Sequence, residues 1–128
     1  MASRPEAVRQ MAEQIRRCIE LCQNCHTVCL RTLAHCQRMG GPHVAEPHLR
    51  VMNDCAQICQ MSADFMLRGS DFHAMVCGVC AEVCESCAAS CESFADDDRM
   101  RACAETCRDC AESCREMATP LVSAGKQS

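Results

Sequence analysis

The sequence predicts an all-α fold, an up-down-up-down antiparallel four-helix bundle with a cysteine-lined core. Three observations predict it. Strand-type alternation is absent, short breaks divide the chain into four helical segments, and the cysteines recur at alternating spacings of three and four residues. That spacing keeps a set of residues on one face of a helix packed in a bundle. Short connections make successive helices antiparallel neighbours.

Each helix carries its own start and stop signals. Ser3-Arg4-Pro5-Glu6 is a capping-box pattern with proline at the first helical position, so the first helix spans about 4–39 and stops at Gly40-Gly41-Pro42. The second runs over about 47–68, from Pro47 to Gly69. Ser70 or Asp71 caps a third over 71–94, and Asp96-Asp97-Asp98 places acids at the positive end of a fourth over 97–118. Thr119-Pro120 closes that helix, leaving 121–128 as a short mobile tail. The chain of 128 residues is expected to form one domain.

The core composition is unusual: three Phe, no Trp and no Tyr stand beside 16 Cys and nine Met. A formal charge of −4, with acids and bases interspersed, provides no basic stripe for nucleic acid. The first residues lack the apolar run of an export signal, and no long uncharged apolar run suggests a membrane span. The expected compartment is therefore the cytoplasm, where thiols stay reduced and dense cysteine points to metal or redox chemistry more than to disulfides. No Ser/His/Asp set, glycine-rich phosphate loop or helical HExxH motif argues for catalysis.

Indexed on a heptad, all sixteen cysteines fall at a or d positions. They are Cys18, Cys22, Cys25, Cys29 and Cys36 in the first helix and Cys55 and Cys59 in the second. Cys77, Cys80, Cys84, Cys87 and Cys91 belong to the third, and Cys103, Cys107, Cys110 and Cys114 to the fourth. The run Cys18-x3-Cys22-x2-Cys25-x3-Cys29 recurs in the fourth helix as Cys103-x3-Cys107-x2-Cys110-x3-Cys114. A few buried cysteines are ordinary small core residues. Sixteen on one stripe would make a weak purely structural core, because each thiol buries less apolar bulk than a leucine, so the stripe reads as a metal site.

Charge selects the metal. Four Zn²⁺ ions in Cys₄ sites would leave half of the 16 thiolate charges uncompensated inside the bundle. About one Cu(I) per thiolate leaves roughly none, and soft Cu(I) accepts bridging sulfurs. Neighbours three or four apart have Cβ atoms roughly 5–6 Å apart, so one helix can supply two ligands. Zinc-thiolate storage, or a zinc-stabilised helical interaction protein, is the second reading, because Cys-x2-Cys pairs also occur in zinc knuckles. The ferredoxin cysteine run is absent, and so is the strand that a thioredoxin-like redox pair would need.

The chain resembles the bacterial four-helix-bundle copper-storage proteins, in their cytosolic branch. The likeness covers roughly residues 15 to 118 and rests on the first-helix run extended to Cys36, on Asp54-Cys55-Ala56-Gln57-Ile58-Cys59, and on the two long runs that follow. The resemblance implies many Cu(I) ions along the core, admission at one end, and a homotetramer; a copper chaperone or a small thiol is the expected donor and acceptor. The sequence departs from the histidines that cytosolic members often carry between helices three and four, where it reads Ser93-Phe94-Ala95-Asp96-Asp97-Asp98-Arg99-Met100.

Antiparallel packing places the first and third connections at one end, which gathers Met39, His43, His48, Met52 and Met100 as candidate accessory ligands, with two accessible imidazoles. The opposite end offers Met11, Met66, His73 and Met117 beside Ile15 and Leu121. His26 and His35 flank core cysteines and read as solvated or interface histidines. His73 reads equally as a ligand or a capping residue.

Overall fold

The computed structural model describes residues 3–127, with side chains described through 118. Four helices are present: α1 (Arg4–Met39), α2 (Glu46–Leu67), α3 (His73–Glu92) and α4 (Asp98–Gln127). α1 packs against α2 and α4, and α3 packs against the same two, so α1 and α3 face each other across the bundle diagonal. The expected up-down-up-down bundle is the observed one.

The capping box forms as its residues dictate. The Ser3 hydroxyl accepts the Glu6 N–H at 3.3 Å, and the Ser3 N–H is donated to the Glu6 carboxylate at 3.4 Å. α2 ends in a Schellman-type turn, with the Ser70 N–H bonded to the Phe65 carbonyl at 2.9 Å and Gly69 at φ +65°. That left-handed conformation suits glycine because it has no Cβ. At α4 the cap is Asp97, whose Oδ1 accepts the Arg99 N–H at 3.0 Å and the Met100 N–H at 3.3 Å.

Three details differ from the sequence reading. A 3₁₀ turn over Gly41–Val44 fills the first connection. Ser70 does not cap α3, which begins at His73: its hydroxyl accepts the Phe72 N–H at 3.1 Å, so residues 70–72 are consumed in a turn. α4 spans Asp98–Gln127, beyond the stop expected at Thr119-Pro120, and the tail expected over 121–128 lies outside the residues whose side chains are described. Leu121 lies outside the residues whose side chains are described.

By length and composition α3 could cross a membrane, with a mean hydropathy of 1.4. Much of that hydropathy belongs to five fully buried cysteines facing the bundle interior, while Glu82, Glu85 and Glu92 stand outside the core. Arg108 and Arg115 of α4 pair with Glu92 and Glu85 at 2.6 and 2.5 Å across its outer surface. Such exposed pairs are each worth only about 0–1 kcal/mol.

The core is made of neutral thiols, Met and Ala, and its helix caps need no metal. The reduced, metal-free protein is therefore expected to show a helical far-ultraviolet dichroism spectrum. A disordered chain that folds only on adding metal would contradict this account of the core.

Candidate metal centre

All sixteen cysteines are fully buried free thiols. Alanine makes their approach possible. On α2, α3 and α4 the residue after each d cysteine is Ala56, Ala81, Ala88, Ala104 or Ala111, all buried at the helix contacts. A side chain of one carbon lets neighbouring helices come close, and sulfurs of different helices meet at 3.4 to 3.9 Å, as in Cys22–Cys114 and Cys59–Cys110. The heptad index located the cysteines but did not register this companion stripe, which was legible as the dipeptide Cys-Ala repeated at Cys55, Cys80, Cys87, Cys103 and Cys110.

The sulfurs form layers. Antiparallel pairing steps along α1 and α4 through Cys18–Cys114 at 3.7 Å, Cys22–Cys110 at 3.7 Å and Cys25–Cys107 at 3.8 Å. Along α2 and α3 it steps through Cys55–Cys84 at 3.7 Å and Cys59–Cys80 at 3.8 Å. The groups this generates overlap: Cys25, Cys55, Cys59 and Cys84 lie within 4.8 Å of one another, and so do Cys25, Cys29, Cys55 and Cys107. Cys59, Cys80, Cys84 and Cys110 form a further set, as do Cys22, Cys80, Cys110 and Cys114. Because adjacent sets share sulfurs, the interior is one continuous run.

The run closes on a three-sulfur layer of Cys18, Cys77 and Cys114. The α2–α3 register places Ser62 opposite Cys77, at the fourth corner. Ser62 is fully buried, and its hydroxyl finds no hydrogen-bond partner among the described residues. Beyond it Met66 and Met117 are buried. His73 Nδ1–H donates to the Ser70 carbonyl at 2.9 Å, which makes it a helix-start residue. Met11 is exposed.

At the other end the five candidate accessory residues divide. Met52 is fully buried inside the run, its Sδ 3.5 Å from Cys87 Sγ and 3.4 Å from Cys91 Sγ. Cys36 Sγ sits 3.4 Å from His48 Nε2 and 3.7 Å from Met100 Sδ, forming a mixed thiol, imidazole and thioether group. His48 is 5% exposed and is held by Ser90 Oγ at 2.6 Å from Nδ1, so the expectation that it is an accessible imidazole is corrected: the α2–α3 contact covers it. Met39 is exposed, and His43 turns to Asp97 at 2.9 Å. The Phe94 ring lies between the two groups, 4.4 Å from the His43 ring and 4.8 Å from that of His48.

His35, read as a flank residue, also reaches Asp97, at 2.8 Å. His26 fits the flank reading, with Nδ1 2.6 Å from the Ala56 carbonyl. Hydrogen bonds from His35 and then from His43 hold the Asp97 carboxyl well below the usual carboxylate range. Burial, with the nearby His43, lowers the pKa of His48 and keeps its imidazole neutral. Burial, reinforced by Cys103 and Asp97, pushes the Cys36 thiol up to about 11. Its hydrogen bonds with Cys103 and Cys87, together with burial, push Cys91 up as well.

The family model described as copper storage protein matches residues 8–119. A crystal structure of a Nitrosospira multiformis protein is 50% identical, covers 84% of this chain and 97% of its own, and superposes with a TM-score of 0.80. The Cu(I)-bound copper storage protein BsCsp3 is 34% identical over 82% of this chain and 98% of its own, with a TM-score of 0.77. A cytosolic copper storage protein from Streptomyces lividans carrying five coppers is 32% identical over 84% of this chain and 93% of its own, with a TM-score of 0.75.

A thiol whose pKa is raised on folding stabilises the folded state fully below its unfolded value of about 8.5, and loses that contribution as pH rises through the folded value. For Cys36 that loss extends to about pH 11. The melting temperature of the reduced, metal-free protein is therefore expected to fall between about pH 8.5 and about pH 11. A flat profile over that window, followed by thermal melts in reductant, would contradict a core of neutral thiols.

Proposed function

The chain belongs to the copper storage protein family, and from that premise we propose that it stores or sequesters copper in the cytoplasm as Cu(I), many ions per chain, on the sixteen core thiolates. The observation that carries this reading is the overlap of the four-cysteine groups. Cu(I) is soft and takes two or three sulfurs, so a thiolate shared between adjacent groups can bridge two ions. Zinc in separate tetrahedral sites would use each sulfur once and leave the interior negatively charged. Binding Cu(I) releases about one proton per thiolate engaged, so the buried interior stays near neutral whether empty of copper or filled.

The cysteine-poor end of the run supplies the weaker-binding transfer ligands. In this reading Cys36, His48 and Met100 meet incoming copper, and Met52 carries it past the position that α2 leaves without a cysteine. A neutral thioether or imidazole holds Cu(I) less tightly than a thiolate and passes it inward. The closed end, with Ser62, Met66 and Met117, holds copper without exchanging it.

The cytoplasmic placement is supported by the Streptomyces lividans relative, described as cytosolic. The protein binds and releases copper and has no catalytic role in this reading. Its donors and acceptors are a copper chaperone or a small thiol. Assembly as a homotetramer is supported by apolar side chains left exposed on the bundle exterior, among them Met61, Phe72, Met75 and Val79.

Anaerobic titration of the reduced protein with Cu(I) against a chromophoric chelator is expected to saturate at about one ion per cysteine, with one proton released per thiolate. Saturation at one or two ions, or preferential retention of Zn²⁺ in competition, would overturn the reading. Ser62→Cys completes the closing layer and is expected to raise capacity by about one Cu(I). Unchanged capacity in a variant with unchanged dichroism would remove Ser62 from the copper-lined interior.

A further inference from the structure

We propose that the outer rim of the bundle carries a site for one divalent transition-metal ion, held by His35 Nε2, His43 Nε2 and Asp97 Oδ2, and chemically distinct from the sulfur-lined interior. Three separate segments supply it: the C-terminal part of α1, the 3₁₀ turn and the N-cap of α4. Both imidazole nitrogens converge on a single carboxylate oxygen, at 2.8 and 2.9 Å. The two rings stand nearly perpendicular at 86° with centroids 5.8 Å apart. All three side chains are only 13–15% exposed, at the edge of a surface cavity bounded also by Met39, Phe94 and Asp96.

The ligand set argues for a divalent ion. Two imidazoles and a carboxylate are borderline-to-hard donors suited to Zn²⁺, Co²⁺ or Cu²⁺, whereas Cu(I) prefers the sulfurs behind Phe94. The carboxylate is ionised, and it is oriented independently of any metal, because its other oxygen is fixed by the Arg99 and Met100 amides. Metal ligands are commonly set in this way by their second contacts. A divalent ion would take the place of the Nε2–H hydrogens now directed at Asp97 Oδ2, each imidazole coordinating through Nε2 with its proton moved to Nδ1. Coordination distances of about 2.0–2.2 Å call for a shift of a fraction of an ångström in side chains that border open space. The remaining coordination positions face the cavity, and the bound ion would tie the first and third connections together across the rim.

The test uses protein loaded with Cu(I) to saturation, so that the thiolates are occupied, and titrates it anaerobically with Co²⁺. One Co²⁺ per chain is expected, with visible ligand-field bands, no sulfur charge-transfer band, and displacement by Zn²⁺. Asp97→Asn and His35→Gln are each expected to weaken binding more than about 10-fold, with Cu(I) capacity and dichroism unchanged. A crystal soaked in Zn²⁺ provides a readout independent of variants, an anomalous peak between the three side chains. Absence of Co²⁺ binding, a thiolate charge-transfer band, or equal binding by both variants would overturn the proposal, as would a soaked crystal with no peak there.

Discussion

Sulfur packed against sulfur governs this molecule. Sixteen thiols share one interior with contacts of 3.4 to 4.0 Å, and an unpaired thiolate there would carry a severe desolvation penalty. The metal-free interior must therefore hold neutral thiols, and a filled one must hold cations that match the thiolates closely in charge. The small volume of each thiol forces the helices together, and the alanines following the d cysteines on three helices let them approach. Bundle geometry, charge balance and choice of metal thus follow from a single requirement.

The two ends of the run solve different problems. At one end Met66 and Met117 cover a layer in which serine replaces the fourth cysteine. The hydroxyl of Ser62 has no partner among the described residues, which is uncommon for a buried polar group. At the other end sulfur gives way to a thiol, an imidazole and a thioether around Cys36, and then, beyond Phe94, to imidazole and carboxylate. Ligand softness falls step by step from interior to rim. Such a gradient separates the ion that the interior retains from ions that meet the surface first.

Much of this was legible in the sequence because the helical repeat does not depend on distant contacts. The heptad index assigned every cysteine to the core, and the caps at Ser3 and Asp97 stand where local chemistry puts them. Features set by tertiary neighbours were less legible. His35 looks like a flank residue until the third connection delivers Asp97, 62 positions later in the chain, to its ring. His48 looks accessible until Ser90 of α3 covers it. Ser70 has the chemistry of a cap, but the Schellman turn at Gly69 uses it first. The connection between α3 and α4 lacks histidines in sequence yet receives two in space, from α1 and from the 3₁₀ turn.

If adjacent four-cysteine groups share their thiolates, stored copper forms a bridged array. X-ray absorption at the copper edge of the fully loaded protein tests this most directly. The account predicts a first shell of sulfur around Cu(I) together with copper–copper scattering at short range, growing as the protein fills. A sulfur shell with no copper–copper contribution at full loading would show isolated sites and contradict it.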